Sequence, residues 1–380
     1  MNSIETASNL LNEIFTEKEV EEIKSSSVSR RFTEESEFNL TPNKFAQPID
    51  LDISLEGDIE KPMFNMPGYP FRSLENTEKF ISEIKEKGIN TIVLRITGEK
   101  ENRSDIYEKL EDQSSAFEKL RKAFDRNEIT FVVDPFSVAL NKDGSWGIKD
   151  YKNNLDNLKT SQLLSDIALA YGSINTDYIL TLGRADKEVE ITKRTLDFIN
   201  SDTHIMSFSQ NTETQNAYMY LKDKTNHTDT GQKILVGNIT DMTLRTIFDI
   251  YEGSNVVVVK PVENFHLILA TSQFLESKDK VISFLTSDSV NKIAQEDKKI
   301  EERIKDILFN INDFNEKSKK VKIASYTVSG TYYLQKSFEE EKGEKFASNV
   351  VEELLKNALS AANNKFFKLI DRNAYWYFNR

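Results

Sequence analysis

No cysteine occurs among the 380 residues, which excludes disulfides, thiolate zinc sites and a cysteine nucleophile and fits a reducing compartment. Histidine is nearly as scarce: His204, His227 and His266 are scattered and show no metal-ligand spacing. Long apolar runs are missing as well. Val256-Val257-Val258-Val259 falls far short of the ~20 residues that span a bilayer. The opening MNSIETASNLLNEIF has neither a basic n-region nor a long apolar core, so no signal peptide is expected. Nor is there a basic surplus. With a net charge of −12, neither a nucleic-acid backbone nor an anionic membrane is an expected partner. A soluble protein of the cytoplasm is expected.

What is present points to a folded chain. With 24 Phe and 13 Tyr, the sequence is too aromatic for a solvated coil, and its length allows one large domain or two average ones. Ile4, Ala7, Leu10, Leu11, Ile14 and Phe15 recur at helical spacing until Ser25-Ser26-Ser27. This stripe is either a frayed terminal helix or part of an arm, residues 1–45, that docks on a neighbouring subunit. From there, short apolar runs alternate with amphipathic helical stretches. The runs are 46–55, 91–96, 129–135, 177–182, 204–209, 255–260, 321–328 and 365–370, with helices expected over 75–87, 114–126, 158–171, 187–200, 239–252 and 346–362. Strands apolar on both faces and separated by helices indicate a covered parallel sheet. Eight of them match a closed (β/α)8 TIM barrel of class α/β spanning 46–380. A doubly wound open sheet fits the same pattern, although no glycine-rich phosphate loop follows any strand. Residues 273–320 are highly charged and helical, an expected insertion between two strands.

In a barrel the reactive groups project from the C-terminal strand ends. Lys260 follows four valines and precedes Pro261. An amine in such apolar surroundings is pushed toward its neutral form, which an attack on a carbonyl requires; a strand-end lysine reaching water is the plainer alternative. Tyr326-Thr327-Val328-Ser329-Gly330 offers hydroxyls for a substrate carboxylate or for capping the next helix. Asp134 and Asp143 lie in a turn-rich loop; they are weak metal candidates, because loop aspartates are usually turn formers.

Taken in order, these segments resemble the porphobilinogen synthase (5-aminolevulinate dehydratase) family from about residue 30 to the C-terminus. Arg30-Arg31-Phe32, Leu40-Thr41-Pro42 and Met66-Pro67-Gly68 resemble its opening. Asp134-Pro135-Phe136-Ser137 with Asp143-Gly144 is similar to the aspartate loop that replaces zinc-binding cysteines in some members. Glu252-Gly253-Ser254-Asn255 through Lys260-Pro261 resembles the segment whose lysine forms a Schiff base, and Tyr326 to Gly330 the segment whose tyrosine and serine line the same subsite. The resemblance implies Lys260 as catalytic, with Tyr326, Ser329, Phe208, Asn211 and Lys222 around the substrate. It implies a homo-oligomer acting on a small amino ketone or keto acid. No cofactor is expected. Val132 stands where zinc-using members carry cysteine, so no catalytic zinc is expected, which leaves room for a magnesium ion or a monovalent cation.

The sequence also departs from the family, and the resemblance places Asn211, Lys222 and Thr130 on one side of its site. Asn211 stands where a second lysine belongs, and an amide forms no imine. Thr130 replaces an aspartate, Lys222 replaces a carboxylate-gripping arginine, and Ile370 falls on a tyrosine. The segment 182–188 keeps one aspartate, Asp186. The expectation is an enzyme that still forms a Schiff base at Lys260 and catalyses condensation and dehydration, a lyase of this type or a diverged version of it. The alternative is an inactive homologue serving binding or assembly.

Overall fold

The computed structural model describes residues 13–25, 40–63, 66–98, 105–141, 145–213, 234–235 and 237–379. It divides into two units, Met1–Asn39 and Leu40–Arg380. In the first, helix α1 (Glu17–Ser25) opens with a reciprocal box. The Thr16 amide donates to Glu19 Oε2 at 2.8 Å and the Glu19 amide to Thr16 Oγ1 at 3.4 Å, satisfying two end groups the helix cannot satisfy itself. The stripe read over 4–24 is described only from Glu13 onward, and Arg30-Arg31-Phe32 lies outside the described residues.

The second unit is built on β1 (Phe45–Asp52), β4 (Thr91–Thr97), β5 (Thr130–Asp134), β6 (Tyr178–Thr181), β7 (His204–Glu213), β9 (Val256–Lys260), β10 (Lys322–Tyr326) and β11 (Phe366–Ile370). Each pairs in parallel with the next in this order, and β11 returns to β1 through Phe45↔Leu369 and Ala46↔Ile370, closing an eight-stranded barrel. The open-sheet alternative is thereby excluded. Every expected strand is present because each is apolar toward both the barrel interior and the surrounding helices; all residues of β1 and β9 are buried.

The helices between strands begin where the sequence supplies caps. Ser73 caps α2 (Leu74–Glu86), Asp105 caps α3 (Ile106–Ala123), Asp156 caps α4 (Asn157–Gly172) and Asn238 caps α6 (Ile239–Glu252), each accepting a backbone amide of the first turn. Helix α6 stops at Gly253, whose φ of +117° is readily adopted only by glycine, and whose amide returns to the last turn. Helix α5 (Glu188–Phe198) completes the series on this side. Among the described residues no helix is long and apolar enough to cross a membrane.

The insertion follows α7 (Phe265–Glu276) as four short helices, α8 (Lys278–Leu285), α9 (Asp288–Glu296), α10 (Lys298–Phe309) and α11 (Ile311–Ser318). Each buries a narrow apolar set, among them Val281, Leu285, Val290, Ile304, Ile307 and Phe314, and turns its charged residues outward. Beyond β10 come α12 (Ser329–Lys342) and α13 (Glu344–Ala362), and α14 (Ala374–Asn379) follows β11.

Several elements differ from the sequence reading. A small antiparallel pair, β2 (Glu60–Pro62) and β3 (Pro70–Arg72), edges the sheet beside β1, and β8 (Ile234–Leu235) extends β7. All are too short to show a period. Helix α3 starts eight residues before the 114–126 expected, because its buried face includes Asp112, Gln113 and Ser114, which interrupt the apolar pattern. Helix α12 begins without a side-chain cap: Val328 is its N-cap residue and Ser329 its first helical residue. The capping role read for the Thr327–Ser329 hydroxyls is therefore corrected. Thr327 Oγ1 instead donates to the Ile370 carbonyl at 2.9 Å.

Candidate active site at the barrel mouth

A bulge in β7 sets the geometry. Against β9 the register runs Ser207↔Val257 and then Gln210↔Val259, one residue extra on β7. In consequence Ser209 and Gln210, although adjacent, both bond to the outer helices: Ser209 Oγ donates to Asp249 Oδ2 at 2.6 Å, and Gln210 Nε2 to the Thr246 and Thr271 hydroxyls at 2.9 and 2.7 Å. The same bulge registers Asn211 with Lys260 as cross-strand partners. Sequence had placed Asn211 at the position of a second lysine; the fold sets it beside Lys260.

Lys260 ends β9 and is only 8% exposed. Its Nζ lies 3.4 Å from the centroid of the buried Phe208 ring, close enough for the ring face to stabilise an ammonium in place of water. Phe208 in turn meets Tyr326 edge-on at 6.0 Å. Four of the expected site residues, Lys260, Phe208, Asn211 and Tyr326, thus occupy one mouth. Ser329 begins α12, three residues past Tyr326. Lys222 and Asp143 lie outside the described residues.

Opposite Lys260 is a charged set that the sequence reading missed. Asp50 on β1 and Arg95 on β4 are cross-strand partners and form an ion pair between a buried carboxylate and a half-buried guanidinium. Arg95 is in turn the cross-strand partner of Asp134. Burial works to lower the Arg95 pKa, but Asp50 and Asp134 more than reverse it and leave it raised. The Asp134 carboxyl is pushed above the ordinary range by burial, with Arg95, the Phe136 amide and Lys260 acting against the shift. A signal for this set exists in the sequence: a charge within a strand buried on both faces needs a partner across the barrel. Arg372 just beyond β11 completes the rim, its guanidinium 5.4 Å from the Tyr326 ring.

Among the described residues no group of three His, Asp or Glu side chains converges as a metal site would. With Arg95 beside it and one oxygen accepting the Phe136 amide at 2.9 Å, Asp134 is poorly suited to hold a cation.

Next to the mouth, the insertion roofs a cavity of about 330 Å³ that reaches Phe208. Arg303 of α10 holds this roof down. It bridges Asp186 Oδ1 at 2.9 Å and Glu252 Oε1 at 3.2 Å, with its guanidinium 4.7 Å from the Phe248 ring. Below it, burial and the neighbouring Asp249 push Glu252 up to about 8, against the pull of Arg303, and burial pushes Asp249 up to about 6 against its serine hydrogen bonds. A carboxyl raised on folding binds its proton more tightly in the folded chain, so stability falls as pH rises from the unfolded value toward the folded one and levels off above it. Between pH 6 and 8 Glu252 contributes about 2 kcal/mol to this effect. Urea unfolding is therefore expected to show lower stability at pH 8.5 than at pH 6, with Glu252→Gln shrinking the difference by about that amount. An equal pH dependence in both proteins would show that Glu252 is ionised throughout.

The comparisons agree with this architecture. No curated protein matches the chain. Among solved structures, it resembles delta-aminolevulinic acid dehydratase (porphobilinogen synthase) from Toxoplasma gondii ME49, determined in complex with the reaction product porphobilinogen. The TM-score is 0.68 at 17% identity, over 92% of this chain and 87% of that one, a likeness of fold. The family model described as delta-aminolevulinic acid dehydratase matches residues 17–279, more than half of the sequence. The chain belongs to the delta-aminolevulinic acid dehydratase family.

Proposed function

We propose that the protein is an enzyme that joins Lys260 as an imine to the carbonyl of 5-aminolevulinate or a related amino ketone or keto acid, and carries that intermediate through condensation and loss of water. The observation that carries this reading is the Lys260 amine itself, buried at a barrel strand end against the face of Phe208. A buried ammonium costs free energy that a structural role would not repay. The neutral amine attacks the carbonyl carbon, a proton passes to the oxygen, and the carbinolamine expels that oxygen as water to leave the C=N bond. Asp134, whose carboxyl burial inclines toward its protonated form, is suited to give a proton to the leaving oxygen.

Because Asn211 is an amide, a second substrate is held without an imine, and each chain takes up one carbonyl compound covalently. Activity on this reading takes place in the cytoplasm, in a homo-oligomer, on small molecules rather than nucleic acid or membrane. Borohydride trapping with 5-aminolevulinate, read by intact and peptide mass spectrometry with porphobilinogen assayed in parallel, tests it. One adduct per chain on Lys260 is the expected result. No adduct from folded protein would favour the second reading, a noncatalytic homologue, for which the loss of the second lysine at Asn211 is the supporting observation.

A further inference from the structure

We propose that the insertion is a gate: Arg303, closed on Asp186 and Glu252, shuts a side passage between an outer groove and the cavity beside Phe208, and small molecules pass when this contact breaks. The gate itself needs no imine. Only what the passage serves, the Lys260 amine against Phe208, rests on that reading.

Two cavities meet at Arg303. The inner one, about 330 Å³, reaches Phe208 and Thr181, the last residue of β6. The outer one is a groove of about 850 Å³ bordered by α5, α6 and α10. Arg303, Asp186 and Glu252 line both, so the bridge they form is part of the partition between them. An inner volume of this size takes a metabolite-sized compound.

The contact is weak for a bridge at a cavity wall. Asp186 has its side chain 64% exposed, so water screens its pair with Arg303. Glu252 is 6% exposed, and burial inclines it toward its protonated form, in which it offers Arg303 a dipole and not a charge. The helices that carry the gate are lightly held as well. Helix α9 buries Val290 and Ala294, and α10 buries Ile304 and Ile307; segments with little buried surface open before the rest of a domain. Further along, the roof is tied to the barrel's helices. The Tyr251 hydroxyl donates to Asp306 and accepts from Asn310 at 3.4 Å, and Ser318 Oγ donates to the Leu275 carbonyl at 3.3 Å. Opening therefore pivots on the end of α10 and lifts the Arg303 side.

A chain without cysteine makes the test direct. Thr181→Cys puts a single thiol in the inner cavity. Thr181 is 2% exposed and its hydroxyl has no hydrogen-bond partner among the described residues, so a side chain of similar size replaces it without stranding a bond. Labelling with a methanethiosulfonate, whose sulfenyl group the thiolate takes as methanesulfinate leaves, reads how often the passage opens. Arg303→Leu keeps an apolar contact for Phe248 and loses both carboxylates; it is expected to raise the labelling rate about tenfold. Arg303→Lys should fall between. Val258→Cys, fully buried in β9, reports general loosening and should change by less than about twofold. If Thr181→Cys does not fold, Val189→Cys on the same cavity replaces it. An unchanged rate in folded Arg303→Leu, an equal rise at Val258→Cys, or labelling of the parent as fast as a free thiol overturns the gate. A rise in a protein that traps no carbonyl compound leaves the gate standing and removes the imine reading; trapping at Lys260 with labelling indifferent to Arg303 does the reverse.

Discussion

Lys260→Met abolishes the borohydride-dependent mass increase with 5-aminolevulinate and leaves the barrel folded. The loss should be complete, because no other amine is described in the mouth: the cross-strand partner is the amide of Asn211, and Arg95 and Arg372 are guanidiniums that form no imine under these conditions. A rival is Lys368, whose pKa is lowered by burial to about 8, so that part of it is deprotonated near neutral pH. Its Nζ, however, donates to the Asn43 carbonyl and lies 3.3 Å from the Asn90 side chain, residues that precede β1 and β4. Lys368 therefore belongs to the opposite, N-terminal end of the barrel, away from Phe208 and Tyr326. Reactivity in general would label Lys368; recognition of the substrate would label Lys260. Peptide mapping separates them. Methionine is chosen over alanine because it fills the same volume and leaves no cavity. It also removes a buried charge, so urea unfolding should show stability unchanged or raised by about 1 kcal/mol. An adduct persisting in Lys260→Met would move the chemistry to another lysine, and a marked loss of stability would make Lys260 a structural residue.

The barrel was legible because its signal is repeated. Each strand, such as Val256–Val259 or the Ile92–Leu94 run, is apolar on both faces, and eight such runs separated by helices leave few alternatives. Lys260 and Tyr326 were legible for the same reason: a polar residue closing an apolar strand stands out, and the family resemblance gave it a role. The rest of the mouth was hidden by pairing. Asp50 and Arg95 each look like a charged interruption of their own strand, and only the β1–β4 register joins them. Arg372 follows a strand end as an ordinary turn residue, and its aromatic neighbours come from segments some 45 and 300 residues away in the chain. The bulge that sets Asn211 at Lys260's strand position is equally silent, since nothing in Ser207 to Asn211 marks an extra residue until a partner strand shows one too many.

Asp177→Ala is expected to cost about 3–5 kcal/mol in urea unfolding without altering the site. Asp177 precedes β6, at the end of the barrel away from the mouth, where barrels keep residues for stability. Its two oxygens accept from Arg121, Arg126 and the Phe131 amide, all at 2.8 Å. Arg121 is the reason the cost is large. Its side chain is 7% exposed, its guanidinium lies 4.9 Å from the Phe131 ring, and its remaining donors go to the Phe124 and Ile129 carbonyls. These are dipoles, not charges, so removing Asp177 leaves a buried cation without its counter-ion as well as a strand amide without its acceptor. Arg126 is a lesser loss, because it is more exposed and keeps Asp202 at the surface. The arrangement can be tested internally. Asp177→Asn preserves the acceptor for Phe131 but not the charge, and should recover part of the loss; Asp177→Ala combined with Arg121→Met removes the stranded cation, and should recover more than the asparagine does. Lys260 trapping by 5-aminolevulinate, measured well below the unfolding transition, should be the same in all three. A cost below about 1 kcal/mol for Asp177→Ala would mean that the two carbonyls suffice for Arg121, and altered trapping in a folded variant would mean that the two ends of the barrel are coupled.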